Sequence, residues 1–169
     1  NCKLCDPGEI MNGVGLTASR CKPCGRGTET NSGQNGCITC PAGTVNEDSG
    51  GACEACPLGT YSDVTSSYSF GDCKACPAGK STFLNETLGT YFTAAWQCSP
   101  CSPGKYASSD GSECLDCPLG SATPFEGSST CSFCPAGKFA GSTGSPACTS
   151  CGEGYYSVPG SSECTLCSS

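Results

Sequence analysis

Residues 114–139, CLDCPLGSATPFEGSSTCSFCPAGKF, hold two Cys-x-x-Cys pairs, each followed by proline and then by a glycine three residues past the second cysteine. The same spacing extends in both directions from this stretch. Pairs begin at Cys2, Cys21, Cys37, Cys53, Cys73, Cys98, Cys114, Cys131, Cys148 and Cys164 and account for all twenty cysteines of the 169-residue chain. A repeat of about sixteen residues therefore runs from end to end, with two longer members in the middle, and any function has to be read against it.

Glycine follows the second cysteine by three residues in nine of the ten pairs, from Gly8 through Gly154. Proline followed two residues later by glycine is a turn signal, because proline fixes φ and glycine tolerates a positive φ. Two residues beyond the glycine stands a larger side chain, as at Ile10, Val45, Tyr61, Tyr106, Phe139 and Tyr156. A short strand fits there, with the side chain stacked on the cystine or on the next repeat. A return rich in Ser, Gly and Asp, such as Ser109-Asp110-Gly111-Ser112, then leads to the next cysteine. The expected fold is small and disulfide-rich: an elongated ladder of about ten cystine-stapled, β-hairpin-like repeats with little regular secondary structure. At about 10 to 15 Å per repeat it would extend on the order of 100 Å.

Twenty cysteines in 169 residues with 36% hydrophobic content point to a scaffold made in an oxidising compartment, hence an extracellular or cell-surface protein. Each bridge closing a loop of this length is worth about 3 kcal/mol in the chain-entropy picture. The sparse apolar residues have little else to fold around. No initiator methionine, leader-like segment or membrane-length apolar run is present, so a mature or fragment frame is expected and no membrane anchor is visible. Residues 1–27 carry Lys3, Arg20, Lys22 and Arg26 against Asp6 and Glu9, a balance of +2 in a chain of net charge -7. With only eight Lys and Arg, no basic face for nucleic acid can be built.

Two bridge orders fit the spacing. In one, the second cysteine of each pair bonds the first cysteine of the next: Cys5–Cys21, Cys24–Cys37, Cys40–Cys53, Cys56–Cys73, Cys76–Cys98, Cys101–Cys114, Cys117–Cys131, Cys134–Cys148 and Cys151–Cys164. Cys2 and Cys167 remain for neighbouring repeats or other molecules. In the other, equivalent cysteines of adjacent pairs interleave and all twenty are consumed. The run Cys-Pro-Ala-Gly-Thr, an aromatic, a Gly/Ser-rich return and Cys-x-x-Cys-Pro resembles the ephrin-receptor-like cysteine-rich repeat. Its start is similar to the first loop of tumour-necrosis-factor-receptor modules, and protist surface antigens carry similar arrays. The resemblance implies an extracellular cystine ladder with the first bridge order. Gly25, Ser102 and Gly152 depart from it by replacing proline.

Three segments are expected: regular repeats over 1–56, two enlarged aromatic-rich repeats over 57–97, and regular repeats over 98–169. The enlarged part contains Tyr61, Val64, Tyr68, Phe70, Phe83, Leu84, Leu88, Tyr91, Phe92 and the single tryptophan, Trp96. These residues form either a local mini-core or an exposed patch that contacts another molecule. Tyr68, Phe70, Phe83, Leu84, Tyr91, Phe92 and Trp96 are the interface candidates. Asn85, with Thr87, is an acceptor for an N-linked glycan.

Catalysis lacks its parts. There is no histidine, and the carboxylates are scattered through turns. The Cys2-x-x-Cys5…Cys21-x-x-Cys24 spacing matches a zinc ribbon, but ten consecutive pairs in a secretory composition favour disulfides over metal. Asn46-Glu47-Asp48 and Asp110-Gly111 lack the alternating acids of a calcium loop and read as turn formers. No cofactor is expected. The reading is a non-enzymatic structural protein, a repeat subunit of a filament, coat or appendage that self-associates head to tail or laterally. The other reading is a receptor or adhesion segment that binds a protein ligand.

Overall fold

Cys-Pro-x-Gly folds the same way at each of its occurrences. In the computed structural model, which describes residues 5–12, 20–85, 90–91 and 95–168, with backbone only at 12, 20, 83–85, 90 and 91, the residue after each second cysteine opens a tight turn. Its carbonyl accepts the N–H three residues on, as in Thr44 to Pro41 (3.1 Å), Lys105 to Ser102 (3.0 Å) and Tyr155 to Gly152 (3.1 Å). The glycine is the third residue of the turn, with φ of +85° at Gly43 and +84° at Gly104, the requirement of a type II turn. In the Cys-Pro members proline therefore opens the turn and supplies its carbonyl. Only Pro7 and Pro103 occupy the second position, where the fixed φ acts directly. Where Ser or Thr follows the glycine, its hydroxyl donates to the same carbonyl, as at Thr60 to Pro57 (2.6 Å) and Ser121 to Pro118 (2.8 Å).

The residues after the glycine form one strand of a hairpin, and the two residues between the next pair of cysteines form the other. Thus Thr44–Val45 pairs with Glu54–Ala55, Lys105–Ala107 with Cys114–Asp116, and Tyr155–Tyr156 with Thr165–Leu166. The second strand lies inside Cys-x-x-Cys itself. The chain closes nine such loops by nine disulfides, each second cysteine bonded to the first cysteine of the following pair. We number them repeat 1 (Cys5–Cys21) to repeat 9 (Cys151–Cys164). The sulfur bond crosses the base of each hairpin, with Cα atoms 5.5 Å apart at Cys40–Cys53 and 5.8 Å at Cys151–Cys164.

Two compact units make up the chain, Asn1–Lys74 with Phe92–Gln97, and Ala75–Tyr91 with Cys98–Ser169. Within each, consecutive repeats are stitched by a recurring set of backbone hydrogen bonds. A turn glycine donates to the carbonyl three residues past the next turn glycine: Gly27 to Asn46, Gly43 to Ser62, Gly104 to Thr123, Gly120 to Ala140 and Gly137 to Ser157, at 2.8 to 3.1 Å. A second cysteine offers its carbonyl to the return turn of the next repeat: Cys24 to Gly50, Cys40 to Ser66, Cys101 to Gly127, Cys117 to Gly144 and Cys134 to Gly160. The return turn also lies over a turn glycine two repeats back. An added Cβ at Gly8, Gly27, Gly79, Gly104 or Gly120 would run into the carbonyl of Gly50, Ser66, Gly127, Gly144 or Gly160.

The core is one small side chain thick. It consists mainly of second cysteines (Cys24, Cys40, Cys101, Cys117 and Cys134 are fully buried) and, in repeats 3 to 9, the residue three past the turn glycine. That residue is Asn46, Ser62, Thr82, Ala107, Thr123, Ala140 or Ser157, and all seven are buried. The buried polar members are satisfied locally. Asn46 donates to the carbonyls of Thr28 (2.7 Å) and Gly51 (2.9 Å), and the Ser62 and Ser67 hydroxyls meet at 3.1 Å. Among the described residues no buried side-chain N or O lacks a partner, as a thin polar core requires. The larger residues two past the glycine play a lesser part. Val45 is buried, Tyr61, Tyr106 and Phe139 are half-buried, and Tyr156 is exposed.

Candidate interaction surface

The extra length of residues 57–72 is taken up by one 3-10 turn, Phe70–Asp72, capped by the Ser69 hydroxyl, which accepts from the Gly71 N–H at 3.1 Å. Because of this turn, Ser67, which accepts from the Asn46 N–H, stands six residues before its cysteine, whereas Gly111, Ser128 and Ser161 play the same part three before theirs. The extension in 77–97 is accommodated as a second hairpin, Phe83–Asn85 against Thr90–Tyr91. Ala95 then re-enters the ladder three residues before Cys98, buried, with its carbonyl accepting the Ser62 N–H (3.1 Å). Ser67 and Ala95 thus both keep a hydrogen bond to a core residue of the preceding repeat despite the added length.

Four large side chains described in these segments are open to solvent. Tyr68 is 58% exposed, Trp96 51%, Val64 48% and Phe70 37%. These four make no mini-core; of the two expectations for the enlarged loops, solvent exposure describes them. The side chains of Phe83, Leu84, Asn85 and Tyr91, and all of Leu88, Phe92 and Cys2, lie outside the described residues. Tyr68 and Phe70 are held in place. Arg26 stands 5.7 Å from the Tyr68 ring centroid and donates to the carbonyls of Tyr68 (3.3 Å) and Glu47 (2.6 Å), while Glu47 Oε1 accepts the Phe70 N–H at 2.8 Å. A cation over an aromatic face, combined with bonds to two backbone carbonyls, fixes an otherwise solvated ring. The spacing gave no sign of Arg26 in this role, since it lies 42 residues from Tyr68.

Nearby, Lys74 donates to Asp63 at 2.7 Å and lies 6.0 Å from the Tyr61 ring centroid. The pairing holds the Asp63 carboxyl below its ordinary pKa and the Lys74 ammonium above its own, chiefly through their mutual hydrogen bond. A cavity of about 80 Å³ is bordered by Glu47, Asp48, Glu54 and Phe70, and a second of about 240 Å³ is lined by Lys80 and small residues such as Ala78, Ala107, Ser108 and Ser129. Asp110 is engaged as a turn former: one carboxylate oxygen accepts from the Ser108 hydroxyl (2.6 Å), the Ser112 N–H (3.1 Å) and the Ser112 hydroxyl (2.8 Å), and its pKa is lowered to about 2. The closest approach to a metal set among the described residues, Cys5, Glu9 and Cys21, has its two sulfurs joined in a disulfide. A bridged sulfur is no thiolate ligand. Cys167 is exposed and unbridged.

Among the described residues no helix is long and apolar enough to cross a membrane. Nine disulfides indicate an extracellular or surface setting. No curated protein matches the chain. The family model described as tyrosine-protein kinase ephrin type A/B receptor-like matches residues 43–86 and again 89–130. These two matches cover more than half of the 169 residues and take in both enlarged repeats, and their cysteines form the sequential bridges seen here. By that measure the chain belongs to the ephrin-receptor-like family of cysteine-rich repeats.

Proposed function

We propose that this chain is a non-enzymatic structural protein of the cell exterior, the repeat subunit of a filament, surface coat or appendage that assembles through its ends and its aromatic loops. The observation that carries this reading is the display of Tyr68, Phe70 and Trp96 by a body whose interior needs only cystines and small residues. Aromatic side chains left outside a folded body, and in the case of Tyr68 held by a cation, are what protein interfaces use. Asn85 carries an N-linked glycan in this reading, and the interface runs through Phe83, Leu84, Tyr91 and Phe92 as well.

Family membership supports a second reading, a segment of a receptor or adhesion ectodomain that holds a protein ligand on the same aromatic loops. Electron microscopy of natively purified, non-reduced material, with gels run with and without reductant, separates the two. Regular filaments that collapse to one band on reduction support the structural subunit. Isolated particles with no higher bands, together with capture of a soluble ligand that Trp96→Ala abolishes, support the receptor segment.

A further inference from the structure

Two dipeptides of one chemical kind stand in this chain in opposite settings. Asn35-Gly36 lies in the loop of repeat 2 and Asp110-Gly111 in the return of repeat 6, while a third, Asn12-Gly13, extends outside the described residues. In each, the glycine nitrogen can close a five-membered ring on the preceding side-chain carbonyl, because glycine has no Cβ to hinder the approach. Closure needs a nitrogen not held in a hydrogen bond, an electrophilic carbonyl carbon, and water at the site. At Asp110-Gly111 the first two conditions fail. The Gly111 N–H donates to the Ser108 carbonyl at 3.0 Å. The Asp110 carboxyl, with three hydrogen bonds on one oxygen and a pKa of about 2, stays an anion at neutral pH, and a carboxylate is a poor electrophile.

At Asn35-Gly36 all three conditions hold. Asn35 is exposed, its side chain is a neutral amide, and among the described residues the Gly36 N–H has no acceptor. Asn31 adds a further element. Its Oδ1 accepts the Asn35 N–H at 3.1 Å, which turns its Nδ2 toward Asn35 Oδ1, 2.7 Å away. That donor faces the oxygen that turns negative when the carbonyl carbon is attacked. The Asn31 N–H also holds the loop, donating to the Gly36 carbonyl at 2.9 Å. We propose that Asn35 is a site of spontaneous covalent modification, at which the Gly36 nitrogen displaces the side-chain amide nitrogen while Asn31 stabilises the oxyanion. Water takes the Gly36 N–H proton as the N–Cγ bond forms, and the Cγ–Nδ2 bond then breaks, with Nδ2 gaining a proton from water and leaving as ammonia. A second water adds to either carbonyl of the cyclic imide and opens it to aspartate or isoaspartate; no oxidant or reductant takes part. Either product adds a negative charge to residues 27–73, which already hold Glu29, Glu47, Asp48, Glu54, Asp63 and Asp72 and no Lys or Arg. Isoaspartate also puts an extra carbon into the backbone of a loop whose base the Cys24–Cys37 bridge keeps closed. The chain thereby carries a mark of its age on repeat 2 without opening the repeat.

The test keeps the full-length folded protein at neutral pH for several weeks and maps its peptides by mass spectrometry. Conversion of Asn35 reads as a gain of about one mass unit, and electron-transfer fragmentation separates isoaspartate from aspartate at both sites. The same chain reduced and alkylated, with no folded loop, gives the reference rate. Folded Asn35 should convert within tenfold of that reference, while Asp110 forms no isoaspartate in the folded chain. Gly36→Ala should slow conversion at least tenfold; the backbone admits it, since Gly36 has no positive φ and a Cβ would meet only Asn31 Nδ2, at 3.4 Å. Asn31→Asp keeps an acceptor for the Asn35 N–H but loses the donor, and should slow conversion threefold or more. Intact mass first verifies nine bridges in each variant. Folded Asn35 that converts more than tenfold slower than the reduced chain would overturn the site, as would isoaspartate accumulating at Asp110 as fast as at Asn35. Asn31→Asp that converts as fast as the unaltered chain, or faster, would overturn the part given to Asn31.

Discussion

A turn glycine does two jobs in this chain, and the two can be measured apart. Gly104 needs its positive φ and also lies under the Gly144 carbonyl, whereas Gly154 has the same φ under open space. Alanine at a left-handed position costs about 1 to 2 kcal/mol by itself. Gly154→Ala should therefore lower stability by about that amount, and Gly104→Ala by about 3 kcal/mol or more because the covering turn must also move. Thermal unfolding of the two variants checks this, and equal losses would mean that the contact between repeats contributes nothing. Asp110 offers a second residue-scale test. Hydrogen bonds from Ser108 and Ser112 lower its pKa from 3.8 to about 2, so the carboxylate is favoured by the folded turn. For a depressed folded pKa, the stabilising contribution is complete above about pH 4 and is lost as pH falls through about 2. Carbon-13 NMR titration should place the Asp110 midpoint well below the ordinary aspartate value of 3.8, and Ser108→Ala should move it upward.

At the scale of one repeat, the bridge is the principal stabiliser and its neighbours are the rest. The Cys117–Cys131 bridge spans 14 residues, so Cys117→Ser with Cys131→Ser should cost about 3 kcal/mol. The loss should stay local, because each repeat touches only those near it. Hydrogen exchange should quicken across 117–131 and its flanking repeats while residues 24–56 keep their protection. Repeat 5 carries an added hairpin, Phe83–Asn85 against Thr90–Tyr91, while Ala95 keeps its bond to Ser62. Deleting residues 84–92 would bring the Cys76–Cys98 separation from 22 to 13 residues, the commonest value in the chain. That variant should secrete with nine bridges, verified by intact mass. Failure to close Cys76–Cys98 would show that the insertion takes part in folding rather than decorating a finished repeat.

Among the described residues, cystines and small side chains stand where larger domains place leucine and phenylalanine. Full reduction should therefore abolish the fold at once rather than loosen it, read as loss of the hairpin circular-dichroism signal and of exchange protection over all repeats together. The repeat period, the turn at each glycine and the cystine scaffold were legible in the amino-acid order because each is encoded within a few residues. Cys-Pro-x-Gly sets its own turn, and twenty regularly placed cysteines set the class. The spacing alone left two bridge orders open; the structure has the sequential one because each hairpin brings its own two cysteines to its base. Other features were decided by tertiary structure alone. The strand hidden within Cys-x-x-Cys, the burial of Asn46 and Ser62 instead of the aromatics, and the clamp of Arg26 on Tyr68 all depend on which chain segments arrive alongside. A local pattern fixes local backbone, whereas burial and exposure are properties of what lies alongside, and only the stacked repeats supply that.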